Sequence, residues 1–352
     1  MSPLPLLEVD GLEVRYRRGR HQPPLRAVLE ASLQIQPGET VGLVGESGSG
    51  KSTIGNAVLG LVPIHAGRVV FAGEDITAAG PRRRRELSAD LQVIFQDPYS
   101  SLNPSRTIGQ TLAEPLLAHG IRSRAQISER IDTMLAKVGL PPDTAERYPT
   151  QFSGGQRQRI AIARALMLQP KLVVCDEPVS ALDLSVQAQV LNLLRDLQRE
   201  LGLSYLFISH DLDIVRHLCH RVLVMYRGHI VETGPAEQIN NSPAHPYTQA
   251  LLTAAPVPNT GEQEQRRKAR RAAHVSTAGG EIPEAGCPFV PRCPHAMPVC
   301  SSRRPALVTT AVGAAAACHW SAPVASADQT VSASRLSPAG TSPSAQQERH
   351  QL

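Results

Sequence analysis

Eight residues near position 50 constrain this chain more than any other stretch. Gly45-Glu46-Ser47-Gly48-Ser49-Gly50-Lys51-Ser52 fills the pattern G-x-x-x-x-G-K-S/T, with Thr53 following directly. An apolar run, Thr40–Val44, precedes it, and a segment that reads as a helix from about Lys51 to Leu61 follows. The pattern therefore predicts strand, tight loop and helix in succession. The glycines let the backbone curl so that its N–H groups face an anion, and the helix N-terminus adds positive potential. Lys51 can then reach the β- and γ-phosphates of a nucleotide, and Ser52 can ligate Mg²⁺. A chance glycine-rich turn would not carry both flanking elements.

A phosphate-binding loop says only that a nucleotide binds; hydrolysis needs a second strand bearing carboxylates. Leu172-Val173-Val174-Cys175-Asp176-Glu177 supplies one. Its continuous apolar run suits a strand buried on both faces of a parallel sheet. Its two carboxylates fall at the strand's C-terminal edge, where open α/β sheets bind ligands. Asp176 is expected to hold Mg²⁺ at one remove, and Glu177 to polarise the attacking water as general base. A capping Asp-Glu pair after a core strand would be a fair reading in isolation, but not beside an intact phosphate loop.

Further elements follow from patterning. Leu29, Ala31, Leu33 and Ile35 alternate toward a turn at Pro37-Gly38. Leu91–Phe95, Tyr205–Ile208 and Val222–Met225 read as strands. A mostly helical stretch runs from about Thr107 to Leu168, with Ile131, Leu135 and Val138 at helical spacing. Val186–Leu201 reads as an amphipathic helix, with Asp183 and Ser185 as candidate caps and Gly202 as a stop. The run Arg82–Arg85 reads as a solvated surface turn. Strand and helix in alternation argue for an α/β core with a helical insertion.

Charge and hydropathy exclude some roles. Hydrophobic residues make up 41% and charged residues 19%, as in a soluble globular protein. No apolar run approaches the roughly 18 residues needed to cross a bilayer. The start, Met-Ser-Pro-Leu-Pro-Leu-Leu, has no basic region ahead of an apolar core and does not read as a signal peptide, so the chain is expected in the cytosol unless something holds it at a membrane. A net charge of +5 suits an anionic partner but decides nothing alone. Pro256–Gly286, with basic residues at 266–271, reads as a linker, and residues 323–352, rich in Ser, Ala, Pro and Gln, as a disordered tail. Of six cysteines, Cys175 and Cys219 sit singly in apolar segments as buried core thiols. Cys287, Cys293, Cys300 and Cys318 cluster at the far end, and in a cytosolic setting they point to a metal site rather than disulfides.

One segment sets the chain apart from most proteins with this loop. Phe152-Ser153-Gly154-Gly155-Gln156-Arg157-Gln158-Arg159 resembles the ABC signature motif, usually Leu-Ser-Gly-Gly-Gln, with Phe152 in the leucine position. It opens a predicted helix, so its N–H groups and the Ser153 hydroxyl can meet phosphate. Other family motifs then fall in order: Gln96 resembles the Q-loop glutamine, Ser180-Ala181-Leu182-Asp183 the D-loop, His210 the switch histidine, and Tyr16 the aromatic that stacks on adenine. The resemblance covers about residues 6–320. It implies an α/β P-loop NTPase with a RecA-like core, an N-terminal antiparallel β-region, a helical subdomain at about 88–165 within a cassette at 1–240, and a Cys-containing C-terminal extension at 241–322. It also implies a head-to-tail dimer. Each ATP would lie between Gly45–Thr53 of one subunit and Ser153, Gly154, Gly155 and Gln156 of the other, with Asp183 a further nucleotide-binding residue, Ser52, Gln96 and Asp176 around Mg²⁺, and Glu177, His210 and Gln96 as the catalytic set.

Within the family, Gln96-Asp97-Pro98-Tyr99-Ser100-Ser101-Leu102-Asn103-Pro104 looks like the version found in oligopeptide, dipeptide and nickel importers. So do His245-Pro246-Tyr247-Thr248-Gln249-Ala250-Leu251-Leu252 and Cys287-Pro288-Phe289-Val290-Pro291-Arg292-Cys293-Pro294. Gly280–Gly286 departs from the pattern and is shorter than the family's proline-rich stretch. The four cysteines lack the paired spacing of common zinc sites. In the peptide-importer ATPases a matching set is associated with a 4Fe–4S cluster. Soft thiolates suit iron–sulfur or zinc, and a metal-free site is the third reading. The resemblance implies an ATPase driving peptide uptake at the cytoplasmic face of the inner membrane, with a second ATPase subunit, two transmembrane permease subunits and, indirectly, an extracytoplasmic solute-binding protein. Nickel, glutathione or another small solute is the alternative cargo. An ABC ATPase acting on DNA or the ribosome is the reading from a different class. Such proteins often carry two cassettes or a long coiled-coil insertion, and this chain has neither, so no nucleic-acid partner is expected.

Overall fold

Two sheets organise the chain, and each residue run that reads as alternating or wholly apolar takes its place in one of them. The computed structural model describes residues 4–19, 22–97, 101–254, 283–309 and 314–321. The linker and tail expectations lie mostly or wholly outside these residues, as do Pro98, Tyr99 and Ser100. In chain order the strands are β1 (Leu7–Tyr16), β2 (Leu25–Ile35), β3 (Thr40–Val44), β4 (Ala66–Phe71), β5 (Glu74–Asp75), β6 (Leu91–Ile94), β7 (Leu172–Asp176), β8 (Ser204–Ser209), β9 (Arg221–Tyr226), β10 (His229–Pro235), β11 (Val308–Thr309) and β12 (Ala315–Ala316). The α-helices are α1 (Lys51–Leu59), α2 (Pro81–Leu87), α3 (Ile108–Ala118), α4 (Arg124–Lys137), α5 (Gly154–Leu166), α6 (Leu184–Leu201), α7 (Leu212–Leu218), α8 (Ala236–Asn241), α9 (Pro246–Ala254) and α10 (Pro298–Ser302).

The first sheet is antiparallel, in the order β2-β1-β4-β5. The second runs β11-β12-β10-β9-β3-β8-β7-β6. Its five strands from β9 to β6 are mutually parallel, and β10, β12 and β11 continue it antiparallel at one edge. Side chains alternate across the parallel strands, as a period of two requires. Val173, Cys175, Tyr205, Phe207, Val222 and Val224 enter one core with α3, α4, α5 and α6. Leu172, Val174, Leu206, Ile208, Leu223 and Met225 enter a second core with α1 and the antiparallel sheet. This double burial explains why β3, β7, β8 and β9 read as unbroken apolar runs.

Local chemistry sets the helix ends. The left-handed Gly202 stops α6, and the Asp183 carboxylate caps it by accepting from the Val186 N–H at 3.0 Å. The run Arg82–Arg85 departs from expectation: it forms part of α2, not a turn. Pro81 opens this helix where a missing N–H is no loss. Arg84 turns inward, donating to the carbonyls of Val58 at 3.1 Å and Ile76 at 2.6 Å. Four arginines in a row thus divide between solvent and structure, a split that periodicity in so short a run does not reveal.

The segment after β10 returns to the second sheet. β12 pairs with β10 through Glu232↔Ala316 and Thr233↔Ala315. Tyr226, at the end of β9, packs on Tyr247 of α9 at 4.4 Å and edge-on to Phe289 at 5.4 Å between ring centroids. Among the described residues, no helix is long and apolar enough to cross a membrane.

Candidate functional site

Parallel strands place their C-terminal ends along one edge, and four connections leave from that edge. The phosphate loop follows β3, Gln96 follows β6, Glu177 follows β7 and His210 follows β8. Residues separated by more than 100 positions are thereby brought to one cleft. Its walls are Tyr16, Leu25–Ala27, Ser47, Gly48, Gly50–Thr53, Gln96, Glu177, Arg227 and Gly228.

The loop's shape needs glycine at two positions in particular. Gly50 has φ +107°, and a Cβ there would lie 2.3 Å from the Ala27 carbonyl oxygen. At Gly45 a Cβ would lie 2.1 Å from the Met225 carbonyl oxygen. Lys51 opens α1 and is buried, its ammonium donating to the carbonyls of Gly45 at 2.8 Å and Glu46 at 3.0 Å. Burial lowers its pKa, opposed by the negative charges of Glu177, Asp176 and Glu46. Ser52 Oγ donates to Asp176 Oδ1 at 2.8 Å. Burial raises the Asp176 pKa, and the bond from Ser52 pulls the other way. A hydroxyl against a desolvated carboxylate is a donor set suited to a hard cation such as Mg²⁺.

Glu177 has φ +47°, an uncommon conformation for a non-glycine residue. Its N–H is tied to the Ile208 carbonyl at 3.0 Å. Its Oε2 lies 3.2 Å from both Gln96 Nε2, which donates to it, and His210 Nδ1. Tyr16 closes the far wall, its hydroxyl donating to Thr53 Oγ1 at 3.4 Å.

The signature residues stand elsewhere. Ser153 caps α5, its hydroxyl accepting from the Gln156 N–H while Gln156 Oε1 accepts from the Ser153 N–H at 3.0 Å. Phe152 is buried in the core, so its apolar character is what that position uses. None of Ser153, Gly154, Gly155, Gln156 or Asp183 lines the cleft. Gly45, Glu46 and Ser49 lie in the loop but also not on the cleft wall, while Asp176 and His210 reach it only through Ser52 and Glu177. Arg26, Arg227 and Gly228 are cleft residues that sequence reasoning missed. The Gly228 N–H donates to the Ser49 carbonyl at 2.8 Å, tying the β9–β10 turn to the loop. The only sequence signal for that turn is an Arg-Gly pair, which marks a turn without saying what it faces.

The four clustered cysteines are free thiols at the far end of the extension. Cys287 donates its N–H to the Cys300 carbonyl at 2.8 Å. Burial pushes the Cys287 thiol up to about 11 and also raises that of Cys293. Among the described residues no three His, Cys, Asp or Glu side chains converge closely enough to hold one metal ion.

The chain has extensive likeness to known proteins. The ABC transporter family profile matches residues 28–180, and that of the oligopeptide/dipeptide transporter C-terminal region matches residues 231–300. Over 315 residues the chain is 49% identical to the oligopeptide transport ATP-binding protein OppF of Salmonella typhimurium, covering 86% of this chain and 92% of that protein. It is 47% identical over 323 residues to a putative peptide import ATP-binding protein of Brucella abortus, covering 90% and 98%. Among solved structures, a dimeric ATP-binding cassette in a post-hydrolysis state with ADP and Pi superimposes with a TM-score of 0.59 at 27% identity, covering 65% of this chain and 98% of that one.

Proposed function

The chain belongs to the ABC transporter ATPase family, in its oligopeptide/dipeptide branch, and from that premise we propose that it powers uptake of oligopeptides or dipeptides through separate transmembrane subunits. The observation that carries the hydrolysis step is the Glu177 carboxylate, held at 3.2 Å by both Gln96 and His210 beside a complete phosphate loop. The loop N–H groups, the α1 N-terminus and Lys51 bind the phosphates. Glu177 accepts a proton from water as the water oxygen bonds to the γ-phosphorus; the β–γ bridging bond breaks, leaving ADP and phosphate. Gln96 and His210 orient Glu177 and the water. Ser52, Asp176 and Gln96 would hold Mg²⁺, which supplies charge neutralisation on the phosphate oxygens when bound.

Ser153, Gly154, Gly155 and Gln156 lie off the cleft, which supports a second ATPase subunit presenting them to the nucleotide. The dimeric state of the solved cassette supports the same arrangement. Two permease subunits and an extracytoplasmic solute-binding protein complete the assembly, with this chain peripheral at the cytoplasmic face of the inner membrane. The cassette spans 1–240 with its helical subdomain at about 88–165, and the extension 241–322 carries the thiols. Cys287, Cys293, Cys300 and Cys318 would be the thiolates that hold a 4Fe–4S cluster, a reading that rests on the softness of the donors and on the likeness to the peptide-importer ATPases.

The test is reconstitution. The full chain with its membrane companions in vesicles should hydrolyse ATP and accumulate labelled oligopeptide, and Lys51→Ala should weaken ATP binding and abolish both. ATP-driven accumulation of nickel or glutathione instead of peptide would reassign the cargo. Unaltered ATP affinity in Lys51→Ala would remove the loop from its role.

A further inference from the structure

The phosphate loop is held from outside the cleft as well as lining it. Glu46, the loop's second residue, is off the cleft wall and is gripped at four atoms. Its backbone N–H donates to the Tyr247 hydroxyl at 2.8 Å. Its carboxylate takes Arg292 Nη1 on both oxygens, at 2.9 and 3.1 Å. Its carbonyl accepts from Lys51 Nζ at 3.0 Å. Tyr247 and Arg292 both belong to the C-terminal extension, about 200 and 246 positions along the chain from Glu46.

These two side chains are themselves fixed. Tyr247 is fully buried, tilted against Tyr226 and edge-on to Phe289, so its hydroxyl has little freedom to leave the loop. The Arg292 guanidinium lies 5.5 Å from the Phe289 ring centroid and 5.9 Å from that of Tyr226. The loop, by contrast, is freed by glycines at 45, 48 and 50, all with positive φ. Glycine backbone loses the most entropy on ordering, so an unbraced loop of this composition would bind phosphate at an entropic disadvantage. Holding the loop in its curled form before the ligand arrives removes that cost from binding.

We infer that Tyr247 and Arg292 are positioning residues for nucleotide binding: the extension braces the phosphate loop through Glu46 and keeps it, and the Lys51 ammonium bonded to it, in the binding-competent shape. The inference rests on reading the loop as the ATP site. It also gives the thiol-bearing segment a physical route to that site, because Arg292 directly precedes Cys293 and Phe289 lies two residues after Cys287.

Calorimetric titration of the full chain with Mg-ADP tests this without turnover. Tyr247→Phe deletes one oxygen and leaves the ring packing; Arg292→Gln removes the charge. Each should weaken Mg-ADP binding about fivefold, the scale of one unpaired N–H or one half-exposed ion pair. Arg292→Lys should recover most of the loss. In a cycle of Glu46→Gln and Arg292→Gln, the double variant should bind no more weakly than the worse single. In steady-state hydrolysis the KM for ATP should rise with kcat nearly constant, which a general loosening of the extension would not produce. Wild-type affinity or tighter binding in both Tyr247→Phe and Arg292→Gln overturns the inference, as does a double variant whose losses multiply. If the wild-type chain fails to bind Mg-ADP, the reading of the loop as a nucleotide site falls first and takes the inference with it.

Discussion

In the proposed mechanism the chemistry concentrates at Glu177. Its positive φ is strain the fold sustains to aim a carboxylate between Gln96 and His210. Glu177→Gln keeps the shape and removes the base, so ATP binding should persist while kcat falls by about 10²–10⁴; normal steady-state hydrolysis would exclude the role. Asp176 beside it carries a different signature. Burial holds its folded pKa above the unfolded value. A carboxyl raised in this way favours folding at low pH, and that contribution is lost as pH rises through the folded pKa. At neutral pH the ionised Asp176 therefore costs stability in the nucleotide-free chain. Asp176→Asn should raise the melting temperature of that form while losing Mg-dependent turnover, and a lowered Tm would contradict the account.

At the scale of elements, the contact between α5 and α6 shows why the signature needs glycine at position 155 apart from any phosphate. A Cβ on Gly155 would lie 2.4 Å from Val186 Cγ1, so the first turn of α5 packs against the first turn of α6 through bare backbone. Gly155→Ala should cost about 1–3 kcal/mol by overpacking, read as a lower denaturant midpoint in the isolated chain. A variant that loses activity with unchanged stability would instead assign Gly155 to phosphate contact alone. The strands β3, β7 and β8 were legible because wholly apolar runs are what two-sided burial demands. The helix α2 was not, because a run of four arginines has no period and only Arg84 turns inward.

Over the whole molecule, stability should respond to acid at the joint between cassette and extension. His245 is buried there, its ring Nδ1 accepting the Tyr247 backbone N–H at 3.0 Å, while its backbone N–H donates to Glu232 Oε2 at 3.0 Å. Burial lowers its pKa from 6.5 to about 4. The fold thus holds a neutral imidazole that the unfolded chain would protonate, and stability present above 6.5 is lost as pH falls toward about 4. Glu232, raised by burial, acts in the opposite sense, so the clean measurement is a difference. In His245→Asn, whose amide oxygen can stand in for Nδ1, the drop in unfolding free energy across that window should shrink by up to about 3 kcal/mol. Parallel pH profiles for variant and wild type would refute this.

Taken alone, the amino-acid order determined the motifs and their neighbours. Gly45–Thr53, Asp176-Glu177 and Ser153–Gln156 are contiguous runs, and the forces that shape them (glycine φ, helix-terminus polarity, the double burial of parallel strands) act within a few residues or on a simple period. Tertiary structure decided what those runs touch. It placed Gln96 and His210 on one carboxylate oxygen, set Arg26 and Arg227 in the cleft wall, kept the signature off the chain's own nucleotide cleft, and brought Tyr247 and Arg292 from the extension to the back of the loop. Those partners are separated by tens to hundreds of residues, and only strand order and the aromatic packing of the extension bring them together. No local propensity encodes a distance between positions 46 and 292.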